Sequence, residues 1–283
     1  MTWIALSYVP RVALLSHCSH LEAKAQWLHW ACQRVIRIFN LEIRSQGSIP
    51  GHGLLVSNHL SYLDVLVISA LTPSVFVAKR EVKTWPIFGF FARLAGTLFV
   101  DRCRRIHADT SARELETVLS DGRLAVLFPE GTSSDGQHVL PFRSALLEPV
   151  ANCRHPISVS AMQYELNAGN VQEEVCYWKN MTLLPHLLNL LSKPALVAHV
   201  RFLRVERRAL GRKVLARQLH AEVLRLNNSV RTLLSGARAV NNGVKSELAR
   251  THTSMELHNR PTRTRLRCVQ EESPSIGFPL PGL

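Results

Sequence analysis

From residue 53 onward the sequence alternates short apolar runs with stretches of helical periodicity, and this alternation is the strongest constraint on its fold. The runs GLLVS (53–57), SVFVA (74–78), TLFV (97–100), RLAVLF (123–128), ISVSAM (157–162) and ALVAHVRFLRV (195–205) read as strands. Helices fit between them. The clearest is HADTSARELETVLSDG, with Thr110 or Ser111 available as N-cap, Leu115, Val118 and Leu119 on one face, and Asp121-Gly122 as its stop. The pattern predicts an α/β fold, a single domain over 49–234 built on a mixed sheet flanked by helices.

The flanks read differently. Residues 1–48 are expected to form an N-terminal helical segment. Its opening, WIALSYVPRVALL, resembles a signal core, but Pro10 and Arg11 divide it and no clean small-residue cleavage site follows, so it is read as retained. In AQWLHWACQRVIRIFNL, Trp27, Trp30, Ala31, Val35, Ile38 and Leu41 share one helical face, opposite Gln26, Gln33, Arg37 and Asn40. This stripe suits a helix lying in a bilayer interface, and it equally suits a helix packed on its own domain. Nowhere does the chain approach the roughly 18 to 20 uninterrupted apolar residues needed to span a bilayer. Beyond residue 235 the periodicity fades into polar residues with late Pro and Gly, the pattern of a disordered basic tail over 235–283.

With 283 residues, 46% hydrophobic and 19% charged, the chain can bury a full core. Its 34 Lys and Arg against 21 acids give a formal charge of +13, so the partner surface is expected to be anionic: phospholipid headgroups or nucleic acid. Six scattered cysteines without a close C-x-x-C pair read as reduced, mostly buried thiols. The thirteen histidines show no metal-ligand spacing.

Chemistry concentrates where strands end. After GLLV comes SNHLSYLD, placing His59 and Asp64 at the mouth of the sheet, where α/β proteins build their sites. A carboxylate on one ring nitrogen orients a histidine and strengthens it as a base toward a hydroxyl. The competing reading is structural: Ser61 caps a helix starting at Tyr62, and Asp64 is the acidic third residue of a capping box. A second strand, LAVLF, runs into Pro129-Glu130-Gly131-Thr132-Ser133-Ser134, a turn rich in hydroxyls and backbone donors that can hold a phosphate or an oxyanion. Between them lie Lys79 and, after GTLFV, Asp101-Arg102, whose guanidinium can fork onto a phosphate or pair with Asp101.

The order of these blocks resembles the glycerolipid acyltransferase superfamily, specifically bacterial 1-acylglycerol-3-phosphate acyltransferases: NHLSYLD is similar to its first block, GTLFVDR to its second and FPEGTSS to its third. The resemblance runs from about residue 50 to about residue 165. It implies His59 as general base and Asp64 as its orienting partner. It also implies a headgroup site of Arg102, Glu130, Gly131 and Thr132, with Lys79 and Arg143 as further phosphate contacts. The expected reaction transfers a fatty acyl group from an acyl thioester, on coenzyme A or acyl carrier protein, to a lysolipid hydroxyl, with no cofactor or metal. 1-acylglycerol-3-phosphate is the first acceptor to expect, at the cytoplasmic face of a membrane, with lipid rather than nucleic acid as the anionic partner. Two departures bear on the acceptor: Ser133 and Ser134 stand where many relatives carry Arg after E-G-T, and ISVSAMQY has no internal Pro. A phosphate-free lysolipid such as lyso-ornithine lipid is therefore the alternative acceptor. A non-catalytic basic protein that binds membrane or nucleic acid is the alternative from another class.

Overall fold

In the computed structural model, which describes residues 7–14, 19–85, 88–100, 105–151, 155–206 and 211–258, seven strands form one sheet. They are β1 (Leu41–Gln46), β2 (Gly53–Ser57), β3 (Val75–Lys79), β4 (Leu98–Val100), β5 (Leu124–Leu127), β6 (Ile157–Leu166) and β7 (Leu196–Val205), in the order β1-β7-β6-β2-β5-β3-β4. Every pairing is parallel except β6 with β7, so the sheet is mixed. The helices are α1 (Tyr8–Leu14), α2 (His20–Ile38), α3 (Leu63–Leu71), α4 (Phe88–Leu94), α5 (Arg105–Ser120), α6 (Val171–Glu174), α7 (Leu183–Leu191) and α8 (Arg212–His258).

Side chains alternate across each strand, so one strand feeds two cores. Leu55, Leu124 and Val126 join Trp27 of α2 and Leu63, Val67 and Ile68 of α3 on one face. Leu54, Val56, Ala125 and Leu127 join Leu115, Val118 and Leu119 of α5 and Leu215, Leu219 and Val223 of α8 on the other. The central strands β2 and β5 are buried throughout, which is why GLLV and LAVL are continuous apolar runs.

The expected strands are all present, and the structure adds one. β1, LEIRSQ, is short, polar at alternate positions and directly follows a helix, so its Leu41 reads in the sequence as the end of the helical stripe. Instead Asn40 takes a left-handed conformation (φ 47°), which Asn tolerates, and the chain leaves the helix to pair with β7. The chain divides into two compact units, Met1–Leu234 and Ser235–Leu283, and the described part of residues 1–48 lies in the first with the sheet. In the second unit the expected disordered tail is helical backbone over 235–258, and the rest of it lies outside the described residues. α5 starts before Thr110 and Ser111, which are therefore not its N-cap. Its end is as expected: Gly122 (φ 71°) donates to the Leu119 carbonyl and Arg123 N–H to that of Val118, a Schellman closure.

Trp27 is 1% exposed, edge-on to Tyr8 at 5.2 Å, and with Ala31, Val35 and Leu41 it packs inward on its own domain, while Trp30 is half-buried and Ile38 exposed. Trp30 lies beneath the guanidinium groups of Arg11 and Arg34, at 3.6 and 3.9 Å from its ring centre. Cys32 and Cys176 are free and buried, and burial pushes both thiols up to about 12, so they are inert.

Candidate active site

Parallel strands β2, β3 and β5 end on the same edge of the sheet, and the turns after β2 and β5 meet there. The first turn is pinned by Asn58. Its side chain donates to the Met162 carbonyl (3.0 Å) and accepts from the Met162 N–H (2.8 Å), clamping the end of β2 to β6. The chain then presents His59, whose Nδ1 donates to Asp64 Oδ2 at 2.8 Å. Asp64 is fully buried. Oδ2 also accepts the N–H groups of Leu60 (2.6 Å) and Ser61 (3.1 Å), and Oδ1 accepts the Tyr164 hydroxyl at 2.7 Å. Four donors compensate its charge away from water.

This geometry merges the two readings of Asp64. The carboxylate does close the start of α3, but the reciprocal half of the capping box is not made: Ser61 Oγ is buried without a partner among the described residues, and Asp64 N–H bonds the Ser61 carbonyl instead (3.1 Å). One carboxylate both bonds the first amides of the turn and holds the imidazole. His59 stacks on Phe128 (ring centres 4.2 Å apart, 16° between planes) and keeps 22% of its side chain exposed. Its Nε2 makes no hydrogen bond among the described residues, which leaves that nitrogen to accept a proton from a ligand.

The second turn, Phe128–Gly131, closes through Gly131 N–H on the Phe128 carbonyl (3.1 Å), with Pro at its second position and Gly131 at φ 73°. Glu130 points inward. It is 2% exposed; Oε1 accepts His59 N–H (2.8 Å) and Oε2 accepts Leu140 N–H (3.0 Å). Burial pushes its carboxyl up to about 8 against the pull of these two donors, with the nearby Asp64 adding to the rise. Ser134 completes the junction, its N–H and hydroxyl both reaching the His59 carbonyl at 3.0 and 3.3 Å. Next to it Ser133 Oγ bonds the Tyr177 carbonyl.

The residues expected at the site therefore separate. His59 and Asp64 are in contact. Glu130 touches the back of His59 rather than standing open to a headgroup, since both its oxygens are engaged inside. Gly131 shapes the turn with its amide already bonded, whereas Thr132 is exposed beside it. Lys79 ends β3 on the same sheet edge, half-buried. Arg143 is exposed, and its N–H bonds the Pro129 carbonyl (2.8 Å), so its loop leans on the turn. Arg102 lies outside the described residues. Tyr164 and Asn58 are additions. Tyr164 falls two residues after Met162 on the same face of β6, a position that becomes informative only once β6 is known to lie against β2.

Among the described residues, no group of His, Cys, Asp and Glu is placed to hold a metal ion, and no helix is long and apolar enough to cross a membrane.

The family model described as Acyltransferase matches residues 40–163, which span both turns. A lyso-ornithine lipid O-acyltransferase of Brucella abortus is 36% identical over 230 residues, covering 72% of this chain and 79% of its own. The chain belongs to the acyltransferase family. This acyltransferase is also 34% identical to a lyso-ornithine lipid O-acyltransferase of Rhizobium meliloti, over 65% of the chain and 69% of that protein. It is 31% identical to a 1-acyl-sn-glycerol-3-phosphate acyltransferase of Neisseria gonorrhoeae, over 47% and 56%. The fold is shared with the crystal structure of the LPA acyltransferase PlsC of Thermotoga maritima, at a TM-score of 0.59 and 16% identity, covering 81% of the acyltransferase and 89% of that chain.

Proposed function

We propose that this enzyme transfers an acyl group from an acyl thioester to the free hydroxyl of a lysolipid, with His59 as general base. The observation that carries the reading is the His59–Asp64 pair, with Nδ1 tied to a buried, fully bonded carboxylate and Nε2 without a hydrogen bond among the described residues, on a part-exposed side chain. Nε2 takes the hydroxyl proton as the lysolipid oxygen attacks the thioester carbonyl, and Asp64 stabilises the imidazolium. Collapse of the tetrahedral intermediate breaks the C–S bond, and the imidazolium proton goes to the leaving thiolate. Gly131 N–H is spent inside its turn. The amides of Thr132 and Ser133 make no hydrogen bond among the described residues, and they are the donors available to a developing oxyanion.

The donor carrier is coenzyme A or acyl carrier protein. The enzyme acts as a peripheral protein at the cytoplasmic face of a membrane, drawn there by its charge of +13. Two acceptors have separate support. 1-acylglycerol-3-phosphate is supported by the likeness of the GTLFVDR and FPEGT blocks to phosphate-handling relatives. Lyso-ornithine lipid is supported by Ser133 and Ser134 in place of the Arg after E-G-T, and by the greater share of the chain that its acyltransferases match. The second set favours the phosphate-free acceptor.

Incubation of the purified protein with labelled acyl thioester and a panel of lysolipids, with products identified by mass, tests both levels. Acylated lyso-ornithine lipid in excess over phosphatidate selects that acceptor, and the reverse ratio selects lysophosphatidate. Absence of any acylated lipid rejects the reaction.

A further inference from the structure

α7, LLPHLLNLL, carries no charged residue. One face is used: His186 and Leu190 are buried and Leu187 packs on the core. On the other, Leu184, Leu188 and Leu191, spaced four and three apart, are 61%, 60% and 40% exposed. A helix that is apolar all round belongs where both faces are covered.

Its position indicates what covers it. Tyr62, three residues beyond His59, donates its hydroxyl to His186 of α7 (3.1 Å) and packs its ring on Phe88 of α4 (5.1 Å). α7 and α4 therefore flank the turn that carries His59, and the α4 region exposes Trp85 and Phe90. The α4 side is positive: residues 79–95 hold four cations (Lys79, Arg80, Lys83, Arg93) against one acid, Glu81. Beside α7, exposed Lys179 adds a cation and exposed Glu173 an acid, while Glu174 is paired with Lys193.

We propose that the outer face of α7, with Trp85 and Phe90 beside it, docks on an anionic lipid bilayer and sets the opening of the His59 site at headgroup level. The inference rests on the lysolipid reading of that site. An amphipathic surface of leucines and aromatics rimmed by Lys and Arg matches the interface chemically: leucines among the acyl chains, tryptophan at the headgroups, cations on the phosphates. A second copy of the chain would also cover the leucines. It would, however, cover the flank of the catalytic turn through which a membrane lipid must approach. α2, the other aromatic-rich helix, has its Trp27 committed to the core.

The test is co-sedimentation of the whole protein with phosphatidylglycerol–phosphatidylcholine vesicles, in the absence of acyl substrates, for the wild type and for Leu184→Ser/Leu188→Ser. Removing two exposed leucines should weaken vesicle partitioning by roughly ten-fold or more. Melting temperature and the rate on detergent-dispersed lysolipid should hold, and the rate on vesicle-presented lysolipid should fall with binding. Unchanged partitioning overturns the proposal. So does a wild-type dimer in sedimentation velocity that the substitutions dissociate while vesicle binding persists. Should the double variant melt lower, brominated-lipid quenching decides: quenching in the wild type that shrinks in Trp85→Phe supports docking, and its absence overturns it. If vesicle binding follows the leucines while neither protein acylates any lysolipid, docking stands and the lysolipid reading fails.

Discussion

The two turns that meet at the end of the sheet each bury a carboxylate, and the two carboxylates do opposite things. Asp64 accepts from two backbone amides, a tyrosine and the imidazole, so its charge is delivered to a side chain that reaches the opening. Glu130 accepts two backbone amides, one from each side of the junction, and both its oxygens serve the frame. One turn sets an acid behind a functional group; the other uses an acid to hold that group's backbone still. An acid in a motif is therefore assigned by what its two oxygens face, not by its membership of the motif.

The sharpest way to break this contrast is to remove the chemistry from the first turn. His59→Ala should lower acyl transfer by about a thousand-fold or more. It should lower the melting temperature less than Asp64→Asn does, because the ring is part-exposed and Asp64 keeps its other three donors. Asp64→Asn should lose turnover on a similar scale. It should also lose stability, since an amide keeps one acceptor oxygen where four donors converge on two, and the start of α3 depends on those bonds. Turnover measured alongside thermal unfolding separates the two substitutions; equal stability losses would mean that His59 is part of the core framework.

Much of this arrangement can be read in the sequence, because it is local. His59 and Asp64 lie within one turn, the strands announce themselves as apolar runs, and FPEG is a turn by composition. What cannot be read is set by contacts far along the chain. Tyr164 reaches Asp64 across 100 residues. Glu130 reads as a ligand because a polar turn reads as exposed, and its inward aim follows only from the packing of His59 and Leu140 around it. Trp27 shows the same limit: the α2 stripe is identical whether a bilayer or the sheet covers it, and only the tertiary fold decides.

A middle-sized effect should follow at the second turn. In Glu130→Gln one terminal atom becomes an NH2, so either His59 N–H or Leu140 N–H loses its acceptor, at a cost of about 1–3 kcal/mol in unfolding free energy. Activity should fall much less than in Asp64→Asn. The wild type also carries a pH signature. With its carboxyl raised from 4.5 to about 8, the folded state binds more protons than the unfolded state between those values. This residue's contribution therefore makes stability fall as pH rises through that window. Chemical denaturation at several pH values should show this slope flattened in Glu130→Gln; an unchanged slope would place the charge of Glu130 outside the folding balance.

The smallest effect, and the finest test of the contrast, belongs to Tyr164. Among the described residues its hydroxyl is the one side-chain donor other than His59 on the Asp64 carboxylate, and Tyr164→Phe removes it while keeping the buried ring. If Tyr164 positions Asp64 for catalysis, kcat should fall by about ten-fold with KM little changed, because the hydroxyl touches the carboxylate and not the substrate. The pH profile gives a readout that packing alone would not move. A carboxylate relieved of one donor binds the imidazolium more strongly, so the acid limb of kcat/KM should shift to higher pH. A lower melting temperature with an unshifted limb would assign the hydroxyl to the frame, and Asp64 would then share with Glu130 a partner that serves structure alone.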